Sequence, residues 1–146
     1  MQSFSILVIC TGNSCRSQIA EGYLKYYSKK MNINANIFSA GINAEGVNPK
    51  AIQIMSEDNI DISDHTSNTI EDYFKKDITH VITVCDHANE NCPVFLNKTK
   101  STHQNFIDPS KITGDKKTIS QAYKKCREEI KVFTLKYLQE NFLKND

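Results

Sequence analysis

Phe4-Ser5-Ile6-Leu7-Val8-Ile9-Cys10-Thr11-Gly12-Asn13-Ser14-Cys15-Arg16-Ser17 passes from a nearly continuous apolar run to a polar Gly/Asn/Ser loop and then to an arginine. A run of strand length that is apolar at almost every position fits a strand covered on both faces in a parallel sheet. From Ser17, a candidate helix cap, Ile19, Ala20, Tyr23, Leu24 and Tyr27 recur at helical spacing, and Lys29-Lys30 suit a helix C-terminus. The opening unit is therefore strand, polar loop, helix.

The same alternation continues downstream. Ala35 to Gly41 reads as a second strand, and Asn48-Pro49 as a cap with proline at the first position of a helix running to about Asp58. A weaker helical patch at Ile70, Tyr73 and Phe74 leads into Ile78 to Cys85, a β-branched third strand. Phe106-Ile107 suggests a short fourth strand, and Thr118 with Gln121 a capping box for the last helix. Along that helix Ile119, Ala122, Tyr123, Cys126, Ile130, Phe133, Tyr137 and Leu138 form one apolar stripe. Repeated βα units predict an α/β fold: three layers, with a four-stranded parallel sheet flanked by helices. In such sheets ligands sit at the carboxyl ends of the strands, and Cys10, Cys85 and Asp108 all fall at that rim.

At 146 residues the chain is expected to form one domain over its whole length. Eighteen Lys+Arg against 17 Asp+Glu give a formal charge of +1, which supplies no global field for nucleic acid or an anionic membrane. The apolar start is too short for a signal h-region, and no other stretch approaches the ~18 apolar residues of a membrane span. A cytoplasmic protein is expected, in which five cysteines, an odd number, rest reduced and serve redox or metal chemistry rather than a disulfide frame.

Cys10 to Ser17 is a Cys-x5-Arg-Ser sequence set between strand and helix. A tight loop there can turn the backbone N–H groups of Thr11, Gly12, Asn13, Ser14 and Cys15 toward one point, and the helix N-terminus adds positive charge to it. Arg16 can bind two oxygens of a tetrahedral oxyanion in a bidentate fork. The same field favours the Cys10 sulfur as thiolate, the nucleophilic form, and Ser17 can add a hydroxyl hydrogen bond to it. The Gly-x4-Gly-Lys pattern of a nucleotide P-loop is absent, so the expected cargo is a small free oxyanion or a phosphoester.

Asp108-Pro109 presents a carboxyl that either moves a proton for Cys10 or the substrate, or simply caps a turn. Cys85 and Cys92 lie seven positions apart; in a helix their Cα atoms would be ~10 Å apart, beyond the ~7 Å reach of a disulfide, so bridging them requires the segment to unwind. Three thiols at one rim would form a relay in which Cys10 attacks the oxyanion, Cys85 attacks Cys10 and Cys92 attacks Cys85. The rival is a zinc site from Cys85, His87 and Cys92, whose spacing lacks the usual Cys-x2-Cys. Cys15 reads as structural or an off-pathway oxidation partner, Cys126 as core, and His65, His80, His87 and His103 as structural or surface.

With these residues in view, the chain resembles the thioredoxin-coupled arsenate reductases, which share the fold of low-molecular-weight protein tyrosine phosphatases. The matching stretches are Cys10 to Gln18, Ala20-Glu21-Gly22, Ser39-Ala40-Gly41, Gly46 to Ile52, Asp61-Ile62-Ser63, His65-Thr66-Ser67, Cys85 with Cys92-Pro93, and Asp108-Pro109. The resemblance implies that Cys10 is the nucleophile on arsenate, bound by Arg16 and the loop amides. It implies that a Cys10–Cys85 disulfide releases arsenite, that Cys92 moves it to Cys85–Cys92 for thioredoxin, and that Asp108 manages the nucleophile's proton. No cofactor is implied, and a monomer is expected. Some members bind potassium through positions matching Asn13, Glu21, Ser39 and Thr66; this chain has Asn68 where a cation-binding member has aspartate, and losing a carboxylate weakens a hard-cation site. The alternatives are a phosphomonoester or phosphotyrosine phosphatase using Cys10, Arg16 and Asp108 alone, and a zinc- or redox-sensing module without turnover.

Overall fold

The computed structural model describes residues 3–90 and 99–143. β1 (Phe4–Cys10), with Ile6, Leu7, Val8 and Ile9 wholly buried, lies inside a parallel sheet of order β2-β1-β3-β4. Its partners are β2 (Ala35–Gly41) on one side and β3 (His80–Thr83) on the other, with Ile6 opposite both Ile37 and His80. β4 (Lys100–His103) pairs with β3 alone. The chain steps from β1 to one neighbour and then crosses back to the other, so a topological switch point lies at the carboxyl end of β1. Cys10 ends that strand.

α1 (Arg16–Lys30) buries Ile19, Ala20, Tyr23 and Leu24, packs on β1 and β2, and meets α4 (Lys116–Phe142), whose Ile130 and Leu138 are fully buried. α2 (Pro49–Glu57) opens as its sequence predicts: the Asn48 side chain accepts from Lys50 N, and Pro49 stands at the first position. The patch at Ile70–Tyr73 is a 3-10 turn rather than an α-helix. α3 (Asp86–Glu90) is short and packs on β1 and β3. A second 3-10 turn spans Pro109–Lys111.

Three expectations are corrected. The fourth strand is Lys100–His103, not Phe106-Ile107; its Lys-Ser-Thr-His sequence is polar because an edge strand with exposed side chains needs only the ladder bonds of one neighbour. Phe106 instead donates its N–H to Val84 O just beyond the sheet and turns its ring into the core. The helix starting at Arg16 leaves Ser17 inside its first turn, where the hydroxyl serves Cys10 rather than the backbone. The last helix is capped by Asp115, which accepts from Thr118 N at 2.8 Å, so Thr118 is the receiver of the cap and not its source.

At the switch point the turn after β2 runs against the loop after β1. A Cβ on Gly41 would stand 2.6 Å from Asn13 N and 2.8 Å from Thr11 O, so only glycine permits this approach.

Candidate active site

The loop after β1 is held from outside by its carbonyls. Cys10 O accepts from Ile42 N at 3.2 Å, Thr11 O from Asn43 N at 2.9 Å, Gly12 O from Glu45 N at 2.9 Å and Ser14 O from Asn48 N at 3.0 Å. Asn13 O accepts from Gln18 Nε2 and Ser67 Oγ, both at 3.0 Å. With these oxygens bonded to the flanking segments, the amides of Thr11 to Ser14 make no backbone–backbone hydrogen bond among the described residues, and the Glu45 carboxylate lies against Gly12. Backbone N–H groups in that position, beside the N-terminus of α1, have the arrangement that can bind an anion.

Asn13 is the keystone. It is fully buried with φ +47°, a left-handed conformation that asparagine tolerates better than most residues. Its Nδ2 donates to Ser17 Oγ and to Ser39 Oγ, each at 2.8 Å, and its Oδ1 accepts from Asn68 N at 2.8 Å. Cys10, 2% exposed, has its sulfur 2.9 Å from Ser17 Oγ.

Arg16 and Asp108 meet across the rim. Arg16 Nη1 donates to Phe106 O at 2.9 Å, and Nη2 lies 3.5 Å from Asp108 Oδ2. The other oxygen of Asp108 accepts from Ser110 N at 3.0 Å and Ser110 Oγ at 2.7 Å, capping the Pro109–Lys111 turn. The two readings of Asp108 are thus compatible: one oxygen caps while the other faces the arginine. Cys85, 3% exposed, touches the same loop, its sulfur 3.3 Å from the hydroxyl of Thr11, the residue after Cys10. Cys92 and Pro93 lie outside the described residues.

The family model for low molecular weight phosphotyrosine protein phosphatases matches residues 5–145. The chain belongs to this family. Among curated relatives it is 46% identical over 110 residues to "Arsenate reductase 2" of Staphylococcus saprophyticus, covering 75% of this chain and 82% of that protein. It is 43% identical over 132 residues to "Arsenate reductase" of Staphylococcus aureus strain Newman, covering 90% and 94%. A solved structure described as an arsenate reductase in the phosphate binding state superposes with a TM-score of 0.74 at 25% identity, covering 94% of this chain and 98% of that one.

In this member of the low molecular weight phosphotyrosine protein phosphatase family the other described thiols, Cys15 and Cys126, are buried too. Burial, with Cys126 as a secondary influence, pushes the Cys15 thiol far above the ordinary range. Burial likewise raises Cys126 to about 12. Both are protonated at neutral pH and poor nucleophiles, so Cys15 contributes backbone to the loop.

At the positions that the resemblance associates with potassium, the side chains bond to one another and to Lys25. Glu21 Oε2 lies 2.6 Å from Lys25 Nζ and Oε1 accepts from Ser39 Oγ at 2.5 Å, so an ammonium already supplies the positive charge. Asn13 turns donors, not its oxygen, toward Ser39, and Thr66 Oγ1 donates to Asn68 Oδ1 at 2.7 Å.

The supporting network was the least legible part of the site. Gln18 donates to Asn13 O and Thr66 O while its Oε1 faces His65 Nδ1 at 2.9 Å. Its sequence signal is its place at the end of the matching stretch Cys10 to Gln18; the partners of its side chain leave none.

Proposed function

We propose that this chain reduces arsenate to arsenite by a cysteine relay, with thioredoxin as the reductant. The observation that carries the reading is a second buried thiol, Cys85, in contact with the anion loop through Thr11. A phosphatase needs one nucleophile; a two-electron reduction needs another thiol within reach.

In this reading the loop amides and Arg16 hold arsenate, and the Cys10 thiolate attacks arsenic as a hydroxyl leaves as water with a proton that Asp108 supplies. Cys85 then attacks the Cys10 sulfur. The sulfur–sulfur bond forms, the sulfur–arsenic bond breaks, and its electron pair stays on arsenic, which leaves as arsenite. Two thiols are oxidised and arsenic gains two electrons. Cys92 attacks Cys85, restoring the Cys10 thiolate, and the dithiol of thioredoxin reduces the Cys85–Cys92 disulfide. The curated relatives quoted above carry the name arsenate reductase, which supports this chemistry. The protein works as a monomer of one domain in the cytoplasm, where thiols rest reduced; among the described residues no helix is long and apolar enough to cross a membrane.

Arsenite production is measured with thioredoxin, thioredoxin reductase and NADPH, and compared with glutaredoxin plus glutathione. Turnover is expected with the first system and abolished by Cys85→Ser. Multiple-turnover reduction by Cys85→Ser would reject the relay. Phosphomonoester hydrolysis is a second activity that the geometry favours, because arsenate and phosphate share shape and charge and Arg16 and Asp108 stand at the loop; it should survive Cys85→Ser.

A further inference from the structure

Cys85 lies between two residues that are tied to the next strand. His103, the last residue of β4, sets Nδ1 2.7 Å from Oγ1 of Thr83, the last residue of β3. Its Nε2 donates to Oδ1 of Asp86, the first residue of α3, at 2.6 Å. One imidazole thus bridges the residues on either side of the Val84-Cys85 step. Asn105 adds a second tie, its Oδ1 accepting from Asp86 N at 3.1 Å. Inside this clamp the Cys85 sulfur accepts from Ala88 N at 3.4 Å and meets Thr11 Oγ1 at 3.3 Å.

The pair contributes little as an ion pair, since 70% of the Asp86 side chain is exposed and such pairs are screened by water. Its effect is geometric. Thr83 is buried and fixed by the ladder, so His103 is anchored at one nitrogen and directs the first turn of α3 with the other. A misplacement of about 1 Å at a reacting atom can cost about a hundredfold in rate.

We propose that His103 is a positioning residue for Cys85: through Thr83 and Asp86 it holds the sulfur at the anion loop, ready to attack Cys10 once Cys10 carries arsenic. This rests on the reductase reading and concerns its second step, in which the Cys10–Cys85 bond forms as the sulfur–arsenic bond breaks.

The test uses the full chain carrying Cys92→Ser, so that oxidation stops at Cys10–Cys85. Rapid quenching with an alkylating agent, followed by mass mapping, measures how fast that bond forms after arsenate is added. His103→Ala and Asp86→Ala are each expected to slow it at saturating arsenate by about tenfold or more. Half-saturation by arsenate should stay within about twofold, since the anion loop is untouched. Without arsenate, both should speed alkylation of Cys85 several-fold. Asp86→Asn keeps the Oδ1 acceptor and should restore both rates to within about threefold of the parent. Unchanged bond formation and unchanged Cys85 alkylation in both alanine variants would overturn the proposal and leave the reductase reading intact. A parent that forms no Cys10–Cys85 bond with arsenate would overturn that reading, and the alkylation rates would still decide whether the clamp holds Cys85. Should His103→Ala fail to fold, the exposed Asp86 pair of variants carries the same comparison.

Discussion

Ser17 Oγ lies 2.9 Å from Cys10 Sγ and at the same time accepts a hydrogen bond from Asn13 Nδ2 at 2.8 Å. With one lone pair of the serine oxygen taken by Asn13, its own O–H is free to donate to the sulfur when Cys10 is a thiolate. A hydrogen bond to a charged group contributes about 1.5–3 kcal/mol, which sets the scale for Ser17→Ala. That variant should lower both kcat and the rate of Cys10 alkylation by about ten- to a hundredfold, since 1.4 kcal/mol is a factor of ten. Steady-state arsenite production and iodoacetamide labelling measure the two effects, and an unchanged labelling rate would count against donation to the sulfur.

Asn13 combines three side-chain hydrogen bonds with a positive φ. Asn13→Ala removes all three and the polar side chain that makes the left-handed conformation tolerable, so unfolding free energy should drop by about 2–4 kcal/mol and turnover should be lost. Asn13→Gly relieves only the backbone and should recover about 1 kcal/mol of stability without recovering turnover. Urea titrations of the two variants separate conformation from hydrogen bonding. Equal stabilities would show that φ at this position is unstrained.

Asp108 divides its oxygens between Ser110 and Arg16. Asp108→Asn keeps an acceptor for the cap, because asparagine and aspartate cap about equally well, so Tm should move by no more than about 2 °C. The lost acid/base group should lower kcat by about a hundredfold, the low end of such contributions. Asp108→Ala should lose stability as well, by about 1 kcal/mol. A full-rate Asp108→Asn enzyme would reduce Asp108 to a cap.

The parts of this site that sequence made legible are those written within a few consecutive residues. Strand, loop and helix from Phe4 to Lys30 follow from periodicity, and the arginine that closes the loop stands where the chain must return. Contacts contributed by distant segments leave no local pattern: the resemblance groups Ser39, Thr66 and Asn68 with Asn13 as cation positions, and the fold shows them hydrogen-bonding to Asn13 or Gln18. β4 was misplaced for another reason, since an exposed edge strand lacks the apolar pattern by which strands are recognised and Phe106-Ile107 supplied a stronger but misleading one. His103 belongs to the same class; its partners, Thr83 and Asp86, are 20 and 17 residues away.

His80 provides a pH reading of the core. Burial, with Lys100 as a lesser influence, holds its ring below the ordinary 6.5. The ring packs edge-on to Phe4 at 5.7 Å and beside Phe142 at 4.8 Å between centroids, and Nδ1 lies 2.8 Å from Thr79 Oγ1. The folded protein thus binds this proton less readily than the unfolded chain does. Well above pH 6.5 both states hold the neutral ring and the contribution to stability is complete. As pH falls toward and below that value the unfolded chain protonates first, and stability declines until the folded ring is protonated as well. His65, also lowered chiefly by burial, adds a decline of the same sign. Urea midpoints should therefore be level above about pH 7.5 and fall from there toward pH 5, and His80→Gln should fall less steeply than the parent over that interval. An equally steep decline in His80→Gln would place the proton uptake elsewhere.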